Sequence, residues 1–175
     1  INATETKLKY HDVLEAYNES LKKYPNNTLV SYLDTKYTYL EANKYINALS
    51  KLLPSKQNIA IFTHRSHYYL LSALSVLNVS STYVPIDDAF PDERIKFMLK
   101  DSKASLVLVT NETEERVKKL TKIKTINISK IKPSNIVKPL NSNVTNEIAC
   151  ILYTSGTTGV PKGSLITRKA INNFM

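Results

Sequence analysis

The chain is predicted to be an α/β protein, with βαβ units forming a mostly parallel sheet flanked by helices. Three observations predict this. Short apolar or β-branched runs at 58–63, 82–86, 105–110 and 125–129 read as strands. Between them lie stretches of about ten residues with helical spacing, too long for hairpin turns, so successive strands return by crossover and lie parallel. A hydrophobic content of 42% against 22% charged residues, in a chain of 175, supplies a core of ordinary size.

Each element has a local reason. From Asp12 to Tyr24, the spacing of Val13, Leu14, Tyr17 and Leu21 gives one apolar helical stripe, which Pro25 ends. Residues 28–33 and 36–39 read as a small hairpin turning near Asp34. Thr38 is placed to cap the next helix, with Glu41 three residues later completing a capping box. The apolar face of that helix runs through Ala42, Tyr45, Ile46, Leu49, Leu52 and Leu53 to Pro54. Residues 58–63 form a strand and 67–77 a helix; 82–86 a strand and 91–101 a helix with Pro91 in its first turn. Strand 105–110, helix 113–121 and strand 125–129 follow. The Pro-, Asn- and Ser-rich stretch 130–146 reads as a surface connection, leading to a buried strand at Ile148-Ala149-Cys150-Ile151-Leu152.

The net charge of +9 invites a nucleic-acid reading, but the cations are 20 Lys against 4 Arg and are dispersed along the chain. Bidentate phosphate and base recognition favours Arg, so this charge reads as a solvated surface and no nucleic-acid partner is expected. The most apolar helical stretch, 68–79, is short and interrupted by Ser72, Ser75 and Asn78, so no membrane span is expected. The single cysteine, Cys150, sits in an apolar run and reads as a core residue; without a possible internal disulfide, a cytoplasmic setting is expected. His64 and His67 have no third ligand in any metal-binding pattern, so no metal site is assigned. The pairs Asp87-Asp88 and Glu114-Glu115 read as a turn and a solvated helix end.

All three glycines, Gly156, Gly159 and Gly163, fall in one stretch, Tyr153-Thr154-Ser155-Gly156-Thr157-Thr158-Gly159-Val160-Pro161-Lys162-Gly163. Glycine lets a ligand approach the main chain and tolerates positive φ, as an anion-binding loop requires. The hydroxyls of Thr154, Ser155, Thr157 and Thr158 add donors, and Lys162 adds a cation. The stretch differs from the Walker loop, because Pro161 precedes the lysine and Gly163 follows it. It resembles the signature of the adenylate-forming (AMP-binding) enzymes, which include acyl-CoA synthetases, luciferases and the adenylation domains of non-ribosomal peptide synthetases. Two further stretches carry the resemblance. Tyr39-Leu40-Glu41-Ala42-Asn43 is similar to the family's first core motif. Thr82-Tyr83-Val84-Pro85-Ile86-Asp87, with the helix after it, is similar to the second in its peptide-synthetase form.

The resemblance implies the large N-terminal subdomain of an adenylate-forming enzyme, with residues 1–9 as an interdomain linker and 10–175 as the N-terminal portion of an adenylation domain, truncated after the phosphate loop. It implies ATP-binding by Thr154, Ser155, Gly156, Thr157, Thr158, Gly159 and Lys162, with no catalytic residue assigned. Magnesium ligands are expected downstream. The implied reaction activates an amino acid as its adenylate, for transfer to the phosphopantetheine thiol of a peptidyl carrier domain, with a condensation domain upstream; the fragment alone is expected to be inactive. An acyl-CoA or other carboxylate-activating ligase, and a degenerate interaction module, stay open. Two departures motivate the last: Ser80 and Ser81 stand where the family has glycines, and Arg168 where it has His. If the glycines take positive φ, the serines cost stability or force another turn.

Overall fold

The computed structural model describes residues 9–143, 146–154 and 161–172. The expected linker, Lys9 apart, lies outside them. Helix α1 (Val13–Lys23) begins where an Asp12 carboxylate oxygen accepts from the Leu14 amide at 2.8 Å, replacing a partner the helix start lacks. It buries Leu14 and Tyr17 and stops before Pro25. Strands β1 (Thr28–Tyr32) and β2 (Thr35–Thr38) pair antiparallel through a turn in which Leu33 takes a φ of 51°. Thr38 closes the hairpin and caps α2 (Tyr39–Ser50). The capping box forms as expected, with Glu41 accepting from the Thr38 amide at 2.8 Å.

The chain then alternates: β3 (Asn58–Thr63), α3 (His67–Asn78), β4 (Thr82–Asp87), α4 (Asp92–Asp101), β5 (Leu106–Val109), α5 (Glu114–Leu120) and β6 (Lys124–Asn127), followed by a 3-10 turn at Ile128–Lys130. Pro91 sits one residue ahead of α4, at its N-cap, rather than inside the first turn. After the connection come β7 (Ile148–Thr154), β8 (Lys162–Thr167) and the short α6 (Arg168–Asn172). Six strands form one sheet in the order β6-β5-β3-β4-β7-β8, parallel throughout except for β8, which runs antiparallel to β7.

The central strands are buried on both faces, and their alternation shows why. Ile59, Ile61, Leu106 and Leu108 face one core with α1, α2 and α3, where Leu14, Ile46, Leu49 and Leu71 meet them. Ala60, Phe62, Val107 and Val109 face the other, with Ile95, Met98 and Val117 from α4 and α5. A fully buried side chain of this size contributes about 1.5–3 kcal/mol, so the two clusters hold the sheet between two helical layers.

The connection after β6 runs over the surface as expected, with only Leu140 buried among its described residues, and it is held there by two asparagines. Asn18 exchanges two hydrogen bonds with the Leu140 backbone, both 2.8 Å, and Asn43 does the same with Lys138, at 2.9 and 3.2 Å. An amide side chain offers the donor and acceptor of a peptide group, so each acts as a one-residue strand partner. Leu140 is consequently buried in the α1–α3 core.

Candidate functional site at the β7–β8 hairpin

Because β3 to β7 run parallel, their C-terminal ends share one edge of the sheet, where open α/β sheets place ligands. The glycine-bearing stretch leaves from that edge. Strand β7 is longer than the sequence implied, since Tyr153 and Thr154 continue the ladder, and β8 begins at Lys162, still inside the expected loop. The two strands therefore close a hairpin in which Thr154 and Lys162 are direct cross-strand partners. Both are exposed, and partners directly opposite share a face of the pair, so a hydroxyl and an ammonium stand together at the end of the hairpin where the connecting residues leave it. Ser155, Gly156, Thr157, Thr158 and Gly159 lie outside the described residues.

Gly163 has a role other than the expected one. It lies within β8, opposite Tyr153, where a Cβ would meet Tyr153 Cζ at 3.1 Å. Its lack of a side chain serves close approach. Tyr153 is itself fixed, donating to an Asp101 carboxylate oxygen at 2.6 Å. Burial, and then that hydrogen bond, raise the phenol above its ordinary range, so it stays protonated at neutral pH. Cys150, on β7 beside the edge strand, is 5% exposed as expected; burial pushes its thiol up to about 12, so it stays protonated at neutral pH.

A pocket of about 370 Å³ opens on the same edge, between the ends of β3 and β4. Thr63, Ser66, Tyr69, Pro85 and Asp87 line it, with Arg65 at its rim. The Thr63 hydroxyl is buried without a partner. The sequence reading assigned no pocket here; its signal was Pro85 and Asp87 closing a buried strand. Arg116 from α5 holds the neighbouring loop, donating to the Asp92 carboxylate at 2.7 and 2.9 Å, to the Phe90 carbonyl at 2.7 Å and to the Asp88 carbonyl. Asp88 lies in this turn as expected, whereas Asp87 ends β4 and accepts from the Ala89 amide at 2.9 Å; His64 Nδ1 contacts the Asp88 carboxylate. His67 instead packs against the rings of Tyr37 and Tyr68, and burial lowers its pKa. Among the described residues no group of three or more His, Cys, Asp or Glu is placed to hold a metal. No helix among them is long and apolar enough to cross a membrane.

The departures at 80, 81 and 168 resolve separately. Ser80 takes the left-handed conformation, with φ of 57°, and bears the strain foreseen for it. Ser81 is fully buried and useful: its hydroxyl donates to the Pro54 carbonyl at 2.8 Å and accepts from the Gln57 amide at 3.1 Å. Arg168 is 4% exposed and paired with Asp12 at 3.0 Å.

The family model described as AMP-binding enzyme matches residues 17–175. Over 187 residues the chain is 32% identical to the polyketide synthase PksN of Bacillus subtilis (strain 168), covering 99% of this chain and 3% of that protein. It is 33% identical over 179 residues to gramicidin S synthase 2 of Brevibacillus brevis, covering 98% and 4%. The chain thus spans only a small fraction of these relatives. Among solved structures, the nonribosomal peptide synthetase FmoA3 in its α-methyl-L-serine-AMP bound form superposes with a TM-score of 0.83 at 16% identity, covering 99% of this chain and 20% of that one. At that identity the likeness is one of fold.

Proposed function

This chain belongs to the AMP-binding enzyme family, and from that premise we propose that residues 10–175 form the N-terminal portion of a non-ribosomal peptide synthetase adenylation domain, with residues 1–9 as the linker before it. The complete domain activates an amino acid with ATP. A carboxylate oxygen of the amino acid attacks the α-phosphorus, the bond from that phosphorus to the β-phosphate oxygen breaks, and pyrophosphate leaves with the electron pair. The thiol of a carrier domain's phosphopantetheine then loses its proton and attacks the acyl carbon, releasing AMP. A condensation domain upstream would supply the peptide partner.

The observation that carries this reading is the placement of Thr154 and Lys162 side by side where the hairpin's connecting residues leave it, on the edge where open α/β sheets place ligands. Thr154, Ser155, Gly156, Thr157, Thr158, Gly159 and Lys162 would hold the β- and γ-phosphates, with hydroxyls, amides and the ammonium taking up charge on the departing pyrophosphate. Magnesium would supply further charge neutralisation, through ligands elsewhere in the complete protein. The degenerate-module alternative loses support because two of the three departures are structurally absorbed, Arg168 in an ion pair and Ser81 in two hydrogen bonds, while Ser80 alone carries strain.

The test is amino-acid-dependent ATP–pyrophosphate exchange by the complete domain, with Lys162→Ala beside it. Exchange is expected with a restricted set of amino acids, and the variant should lose about 100- to 1000-fold, the range for removing one preorganised charge-stabilising group. Absence of exchange with every amino acid would sink the peptide-synthetase assignment. Thioester formation on free coenzyme A from a fatty or aryl acid would transfer it to the acyl-CoA ligases.

A further inference from the structure

Strand β8 has β7 as its one strand neighbour among the described residues, so its lateral position depends on few constraints. One lies at its base. Where β8 ends, the Arg168 amide donates to the Glu147 carbonyl at 2.9 Å, tying the start of α6 to the start of β7. The Arg168 side chain turns inward: Nη1 donates to Asp12 Oδ2 at 3.0 Å and Nη2 to the Leu77 carbonyl at 2.6 Å. Asp12 is 3% exposed, and its other oxygen caps α1. Leu77 lies in the last turn of α3. The anion therefore stands at the N-terminus of one helix and the cation at the C-terminus of another, each at the pole that favours its sign. Asn172 adds a second tie, donating to the Tyr10 carbonyl.

We infer that the Asp12–Arg168 pair is a positioning device for nucleotide binding: it anchors the base of β8 to α1 and α3 and so fixes where Lys162, at the other end of the same strand, meets the phosphates. The geometry suits leverage. At about 3.3 Å per residue, the strand from Lys162 to Arg168 spans roughly 20 Å, and a small tilt at its base becomes a displacement at its tip. Arg168 is better suited to this than a point charge would be, since its planar fork satisfies a carboxylate and a carbonyl at once. The inference rests on the reading of Lys162 as a phosphate contact.

Removing one partner would leave a buried, uncompensated charge and threatens folding outright. The informative variant is therefore the double replacement Asp12→Asn with Arg168→Met, in the complete protein. Asn keeps the helix cap, Met keeps much of the arginine stem's volume, and no buried charge is stranded. Two readouts are taken at matched thermal stability: KM for ATP against kcat in pyrophosphate exchange, and hydrogen exchange of the 148–154 and 162–167 amides against those of β3 and β5. The expected result is an ATP KM raised about tenfold, with the hairpin amides exchanging at least about tenfold faster and those of β3 and β5 unchanged; tenfold corresponds to 1.4 kcal/mol of positioning free energy. An Arg168→Lys variant should fall between, because an ammonium reaches one acceptor at a time. Parent-like KM and parent-like hairpin exchange in the double variant would overturn the inference and leave the pair a purely structural contact. If the parent protein shows no exchange activity, the functional reading fails on its own. Amide protection of the hairpin then decides the clamp, whose loss without faster hairpin exchange overturns it.

Discussion

The ring of Tyr153 on β7 lies across the strand pair from Gly163 on β8, so near that a Cβ at 163 would come within 3.1 Å of Cζ and 3.0 Å of Ile151 Cγ2. The ring has little room to retreat, because its hydroxyl is held by Asp101 at 2.6 Å. An aromatic side chain covering a cross-strand glycine gives the pair a surface that glycine alone lacks.

Gly163→Ala should therefore destabilise. Overpacking costs about 1–3 kcal/mol, partly offset by about 0.4–1 kcal/mol from the reduced freedom of the unfolded chain. Denaturant unfolding should show a net loss of about 1 kcal/mol. Adding Tyr153→Phe, which frees the ring from Asp101, should make the double variant more stable than the sum of the single effects predicts.

The two serines after α3 should respond in opposite senses. Ser80→Gly relieves a left-handed backbone that costs an ordinary residue about 1–2 kcal/mol, less the greater entropy of glycine in the unfolded chain. A gain of about 0.5–1 kcal/mol in unfolding free energy is expected. Ser81→Ala should cost about 1 kcal/mol, because it removes two part-buried hydrogen bonds, one to the Pro54 carbonyl and one from the Gln57 amide. Equal effects of the two replacements would contradict this assignment.

Glu114, at the start of α5, is held down to about 2 by the Asn127 amide, Lys118 and Lys130, in that order. Its folded pKa lies below the unfolded one, so its contribution to stability is complete above about pH 4.5 and fades as the pH falls toward 2. Thermal unfolding across that window should show the parent losing stability faster than Glu114→Gln, with the two curves converging at the acid end.

Arg116 gathers the loop between β4 and α4 through one carboxylate and two carbonyls. Arg116→Ala should cost about 1–2 kcal/mol and raise exchange of the amides at 88–90 and 92. Arg116→Lys should recover only part, since a single ammonium cannot reach all three acceptors.

The strands and helices of the alternating region were legible because each has a local signal. Thr38 with Glu41 announces α2, the continuous apolar runs at 58–63 and 105–110 announce doubly buried strands, and prolines 25, 54 and 91 mark boundaries. The glycine-bearing stretch was legible as a loop, but its strand ends were hidden, because Lys162-Gly163-Ser164 offers no run of apolar or β-branched residues to mark the start of β8. What the sequence could not announce are contacts between distant residues. Asp12 and Arg168 lie 156 positions apart, and Asn18 finds Leu140 only once α1 is packed. The order of the strands, with β4 and β5 on either side of β3, is likewise a property of crossovers rather than of any segment.

Strand β8 leaves one row of backbone amides and carbonyls without a neighbouring strand among the described residues, while Leu165 beside it is 62% exposed and Leu152 on β7 is 46% exposed. Such a rim is a template for strand addition. Isolated at high concentration, the chain should therefore self-associate through this rim, with Lys162 the one charged side chain along β8 opposing it.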